Sequence, residues 1–147
     1  MQLEIDKNHF KEMLKAAMLY SWVYGGLADG RGENFTKFEK LEKYLLKKAQ
    51  ENNLKDSISE FDGGLLPSDE LCEELEATIA EYEDDSFWSD LTVSLGKRDF
   101  FRDATEAEMK EMSKTQWLPE RAHDFYEKYE EEFKKHGIDR LEIKNVK

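Results

Sequence analysis

Apolar residues recur at helical spacing from the start of the chain. Phe10, Met13, Leu14, Ala17, Met18 and Ser21 fall on one side of a helix predicted from Lys7 or His9 to Tyr24. From Ala16 this helix turns apolar nearly all round, through Ala17, Met18, Leu19, Tyr20, Trp22 and Val23. That pattern predicts a central helix buried on several sides, the spine of the fold. Gly25 and Gly26 are expected to end it, since glycine accepts the left-handed conformation of a helix terminus. Thr36 with Glu39 reads as a capping box that opens a second helix near Lys37. Phe38, Leu41, Tyr44, Leu45 and Ala49 form its inward stripe, and Asn52-Asn53 closes it.

Asp56 to Pro67 lacks helical periodicity and holds Gly63-Gly64. It reads as an irregular connection pinned by Ile58, Phe61, Leu65 and Leu66. Ser68 is the expected cap of a third helix, with Leu71, Cys72, Leu75, Ile79 and Tyr82 inward. Asp85 or Ser86 caps a further helix carrying Trp88, Leu91 and Leu95. Thr105 with Glu108 is a second capping box, opening a short helix with Met109 and Met112. The last helix has Pro119 in its first turn and one stripe of Leu118, Ala122, Phe125, Tyr126, Tyr129 and Phe133. Gly137 caps it, with Ile138 placed to close a Schellman contact. Leu3-Glu4-Ile5 and Leu141-Glu142-Ile143 alternate in the same way, and either pair as a two-stranded ribbon or form two tails. The expected architecture is all-α: a single domain over 1–147, a bundle of five to six helices with at most a minor terminal ribbon.

Composition narrows the function classes. With 3 Trp, 6 Tyr and 9 Phe the chain can fill a core, although 38% of its 147 residues are charged. The net charge of −12 repels nucleic-acid phosphates and anionic membrane surfaces, so direct nucleic-acid binding is not expected. Cys72 is the sole cysteine and can form no intramolecular disulfide. No run approaches the roughly 18 apolar residues of a membrane span, and the first residues lack the basic and apolar regions of a secretory signal. A cytoplasmic protein is expected.

Each motif with a chemical reading also has a structural one. The glycine-rich stretch Gly25 to Gly32 follows a helix and lacks a Gly-Lys-Ser/Thr end, so it is not a phosphate loop. As a calcium loop starting at Asp29 it would place Arg31 and Lys40 where oxygen ligands are required. Glu120-Arg121-Ala122-His123 matches the Glu-x-x-His of di-iron carboxylate bundles once, and Asp6-Lys7-Asn8-His9 is a looser relative. Among 34 acids such matches arise by composition, and no metal or other cofactor is expected. Cys72 lies on the apolar stripe of a Glu-rich helix, which disfavours its thiolate. The acidic runs Glu73-Glu74, Glu81 to Asp85 and Glu130-Glu131-Glu132 fall mostly on outer helix faces.

One stretch departs from simple amphipathicity. At about 100° per residue, Arg98, Asp99 and Arg102 continue the side occupied by Trp88, Leu91 and Leu95. A buried charge is costly unless paired. Trp88, Arg98, Asp99 and Arg102 are therefore the candidate site, either a structural ion pair or an arginine-lined recess for an anion.

The C-terminal half, with Phe87-Trp88, Leu91, Leu95, Arg98-Asp99-Phe100, Tyr129, Glu132-Phe133 and Gly137-Ile138-Asp139-Arg140-Leu141, resembles a group of short helical proteins of bacteria and archaea. Leu41-Glu42, Tyr44 and Leu45 in the first half are compatible with the same group. The resemblance implies a helical fold and brings no activity or catalytic residue. Leu27-Ala28-Asp29-Gly30, between two helices, resembles one element of the tellurite-resistance TerB-like fold, whose other elements do not follow. The expected role is a protein–protein interaction module without catalytic activity, acting on a protein partner or on itself. The alternatives are a ligand- or anion-binding protein or enzyme centred on Arg98, and an acidic mimic of nucleic acid.

Overall fold

The computed structural model describes residues 4–142. The chain divides into two compact units, Met1–Glu81 and Tyr82–Lys147. Among the described residues the helices are α1 (Lys7–Arg31), α2 (Thr36–Glu51), α3 (Asp69–Asp103), α4 (Glu106–Thr115) and α5 (Ala122–His136). Strands β1 (Ile58–Phe61) and β2 (Gly64–Pro67) form a small antiparallel hairpin. The protein is mainly helical, as expected. Its helices are shared between two units.

The first unit contains α1, α2, the hairpin and the beginning of α3. Its core joins Leu14 and Met18 of α1, Leu45, Leu46 and Ala49 of α2, Leu54, and Leu71 and Leu75 of α3. Helix α1 runs through Gly25 and Gly26, contrary to the sequence expectation. A mid-helix glycine costs only about 1 kcal/mol, and continuation buries Ala28. The cap is Gly32, in the left-handed region at φ 66°. Its N–H donates to Asp29 O and that of Glu33 to Ala28 O, satisfying the last carbonyls. Tyr20, Val23 and Leu27 are exposed, so α1 buries one face rather than its whole circumference.

Three further expectations change in this unit. The Thr36 capping box does not form, because Thr36 is already helical and its N–H is taken by Asn34 Oδ1 at 2.9 Å. Leu41 and Tyr44 are exposed rather than inward. Asp56 to Pro67 holds a short 3-10 turn and the hairpin, in register Ile58↔Pro67 to Phe61↔Gly64. Its two-residue loop, Asp62-Gly63, has φ of 49° and 74°, the positive values a primed hairpin turn requires.

Helix α3 is continuous for 35 residues, so Asp85 and Ser86 cap nothing. No glycine or proline interrupts it before Gly96, and its early acids are solvated. Ser68 does cap it, accepting from Leu71 N–H at 3.2 Å. The terminal ribbon would use Leu3 and Ile143, which lie outside the described residues; Glu4, Ile5, Leu141 and Glu142 belong to no strand.

The second unit comprises the rest of α3 with α4 and α5. Phe100, Ala122 and Phe133 are its buried apolar residues. The Thr105–Glu108 capping box forms as expected. Gly96 brings α3 close to α5. A methyl group there would collide with Tyr126 Cδ1, and would stand 3.0 Å from its Cε1 and 3.2 Å from the Phe125 carbonyl oxygen. Arg121, just before α5, closes the unit. It donates to Asp103 Oδ2 at 2.6 Å and to Glu108 at 2.8 and 3.1 Å. Its guanidinium carbon also lies 5.5 Å from the ring centres of both Phe100 and Phe125.

Gly96→Ala is expected to destabilise the protein. The helix-propensity gain of about 1 kcal/mol is outweighed by overpacking of about 1–3 kcal/mol, because the Phe125 carbonyl belongs to backbone that must shift. Denaturant melts should show the cost shrinking in a Tyr126→Ala background. An equal cost in both backgrounds would contradict the close approach.

Candidate functional site

Arg98, Asp99 and Arg102 come together at the C-terminal end of α3, on successive turns of one face. Asp99 is the centre. Its Oδ1 accepts from Arg98 Nε at 2.8 Å and from Arg102 Nη1 at 3.4 Å, and its Oδ2 accepts from the Tyr129 hydroxyl. Arg98 Nη2 also donates to Tyr129 Oη at 3.0 Å. The Asp99 side chain is 21% exposed and that of Arg98 45%. Arg98 foremost, and then Tyr129, pull the Asp99 carboxyl down to about 2. Burial, followed by the Asp99 carboxylate, raises the Tyr129 phenol. A carboxylate held this low is ionised throughout the neutral range, and its phenol partner stays protonated there. The pair is poorly matched to proton transfer near pH 7.

Trp88 is not part of this cluster. Its indole N–H donates to Asp84 Oδ1 at 3.1 Å, and its ring packs on Phe87 and Phe133 at 5.0 and 5.6 Å between centres. It lines a groove of about 620 Å³ within the second unit. Asp85, Trp88, Ser89, Thr92 and Val93 form the α3 wall; Tyr126, Glu130, Phe133 and Lys134 form the α5 wall. Both sets repeat at three- and four-residue steps, so the groove lies between two parallel helical stripes. None of the groove's lining residues is Arg98, Asp99 or Arg102.

The other motifs resolve locally. Asp6 caps α1, accepting from His9 N–H at 2.9 Å, with His9 Nδ1 2.7 Å from its other oxygen. The looser Asp-x-x-His match is thus a helix start. In Glu120-Arg121-Ala122-His123 the arginine makes the structural contacts, while His123 is exposed with its ring edge-on to Tyr126. Among the described residues no group of three or more His, Cys, Asp or Glu could hold a metal ion. Burial, then the Glu76, Asp69 and Glu42 carboxylates, raises the Cys72 thiol. No helix among the described residues is long and apolar enough to cross a membrane.

Spacing puts Tyr129 on the apolar stripe of α5, yet its hydroxyl joins α5 to Asp99. Arg121 stands inside the metal-like motif Glu120-Arg121-Ala122-His123. Glu42 is one more acid of a charged helix in the sequence. It is half-buried beside the buried Ser21, whose hydroxyl donates to its Oε2 at 3.3 Å, and burial raises its carboxyl. No one-dimensional pattern marks any of the three, because each partner lies on another helix. Comparison with protein families, with curated proteins and with solved structures finds no match to this chain.

The two depressed carboxyls set an acid limit. Asp99 falls from 3.8 to about 2, and Glu108 from 4.5 to about 2 under Arg121 and Thr105. Both bind protons more weakly folded than unfolded, so their stabilisation is complete above about pH 4.5 and is lost as pH falls toward 2. Asp99→Asn combined with Glu108→Gln should lower stability at pH 7 and flatten its decline between pH 4.5 and 2. Chemical denaturation across that range reads both effects, and an unchanged slope would contradict the assignment. Tyr129→Phe should cost about 1 kcal/mol at pH 7.

Proposed function

We propose that the protein works by protein–protein contact, through its second unit and without catalysis of its own. The observation that carries this reading is the groove between α3 and α5. It is larger than the 280 Å³ recess beside Tyr129 and Gly137, and its walls include Trp88 and Phe133. Exposed aromatic residues of the same unit add support: Tyr82 is 72% exposed, Trp117 79%, and Phe87 is also exposed. Isolated apolar residues at a surface are ordinary, whereas aromatic side chains are enriched at contact surfaces.

An anion site at Arg98 has less support. Two of its nitrogens, Nε and Nη2, already donate to Asp99 and Tyr129. A nucleic-acid mimic would array its carboxylates on one face, whereas those of α3 occupy its exposed circumference from Asp69 to Asp90.

Affinity capture with the full chain, followed by reciprocal capture and native mass measurement, tests the reading. A partner recovered in both directions is expected. A monomer with no reproducible partner would overturn it.

A further inference from the structure

The groove's charge specifies its occupant. Within the second unit, from Tyr82 to Gly96, α3 carries Asp or Glu at four positions and no Lys or Arg. The α3 wall therefore lies in a negative field that Lys97 is the first to interrupt. Asp85, at the groove's edge, is exposed and takes part in none of the ion pairs of its unit among the described residues. The one cation of the lining, Lys134, is held by Glu130 at 2.6 Å. The same lining includes Trp88, Val93, Tyr126 and Phe133.

Resting on the reading of the second unit as a contact surface, we infer that this groove takes a basic amphipathic helix from a partner protein. Two helical stripes side by side leave a channel whose natural complement is a third helix, with apolar residues at i, i+3, i+4 and i+7. Its Lys or Arg side chains would meet Asp85 and the neighbouring acids, while its apolar face meets Trp88 and Val93. A second copy of this chain fits poorly, since both molecules carry a net charge of −12. Phosphates of a nucleic acid or a membrane would face the same repulsion. Opposite charges speed encounter and are screened by salt, whereas the aromatic residues of the walls supply the persistent contact.

Three labelled peptides of about five helical turns (~18 residues) serve as probes of the full chain. One is basic with apolar residues at helical spacing, one replaces its Lys by Glu, and one scrambles the order of the basic peptide. Fluorescence anisotropy should show saturable binding of the first, weakened by added salt. The Glu peptide should not bind, and the scrambled peptide should bind at least about tenfold more weakly. Asp85→Lys should weaken the basic peptide about tenfold, because it reverses an exposed charge without touching the core. Trp88→Ala should weaken it at least as much; Thr92→Lys probes the same wall should that variant lose its helical circular dichroism.

Equal binding of the ordered and scrambled peptides would reduce the effect to charge alone and overturn the inference. Insensitivity to Asp85→Lys and Thr92→Lys would do the same, as would no binding at millimolar peptide. A concentration-dependent dimer abolished by Asp85→Lys would assign the groove to a second copy instead. Reciprocal capture that survives both lysine substitutions would leave the contact reading standing while this occupant fails. Loss of both peptide binding and capture in the wild type would remove the two together.

Discussion

A single guanidinium closes the second unit. Arg121 reaches the last turn of α3 through Asp103, the first turn of α4 through Glu108, and the aromatic rings beneath through Phe100 and Phe125. Few side chains could do all of this. Arginine offers five donors in a rigid plane, and that plane can also face an aromatic ring. The contact is especially useful here because the apolar core is small. Phe100, Ala122 and Phe133 are the residues it buries most completely. Glu108 is already committed to the Thr105 capping box, so one carboxylate starts α4 and anchors the segment leading into α5.

The same logic separates the acids of this unit into two groups. Asp99 and Glu108 face arginines, and their carboxyls are drawn well below the ordinary range. Their charge is consumed in holding helices together. The acids of the preceding turns of α3 face water and have no cation on their own helix to answer them. Net charge alone treats both groups alike, yet only the second leaves a field outside the molecule. Beside the groove, that field gives an otherwise unspecific apolar channel a preference for one sign of partner.

The legible features were those that a side chain settles with its own backbone. Ser68 caps α3, and Thr105 with Glu108 caps α4, because donor and acceptor are three residues apart in the sequence. Local cues are overridden where burial or a competing acceptor outweighs them. Gly25 and Gly26 remain helical because burial of Ala28 rewards continuation. Asp85 and Ser86 look like a cap, but nothing requires α3 to stop there. Thr36 loses its capping role to Asn34, two residues earlier. The hairpin differs from these cases, since Asp62-Gly63 between apolar residues was a readable local signal.

From the sequence alone came the helical class, the net negative charge, the helix ends at Asn52, Ser68, Thr105 and Gly137, and the clustering of Arg98, Asp99 and Arg102 on one helix face. These depend on spacing and composition, which the linear chain contains. Tertiary structure alone placed Tyr129 on Asp99, separated Trp88 from that cluster, and made Arg121 a junction. It also opened the groove, because a groove exists only once Gly96 has let two helices approach. Contacts between helices depend on shape and distance in three dimensions, and periodicity along one helix does not encode which neighbour it meets.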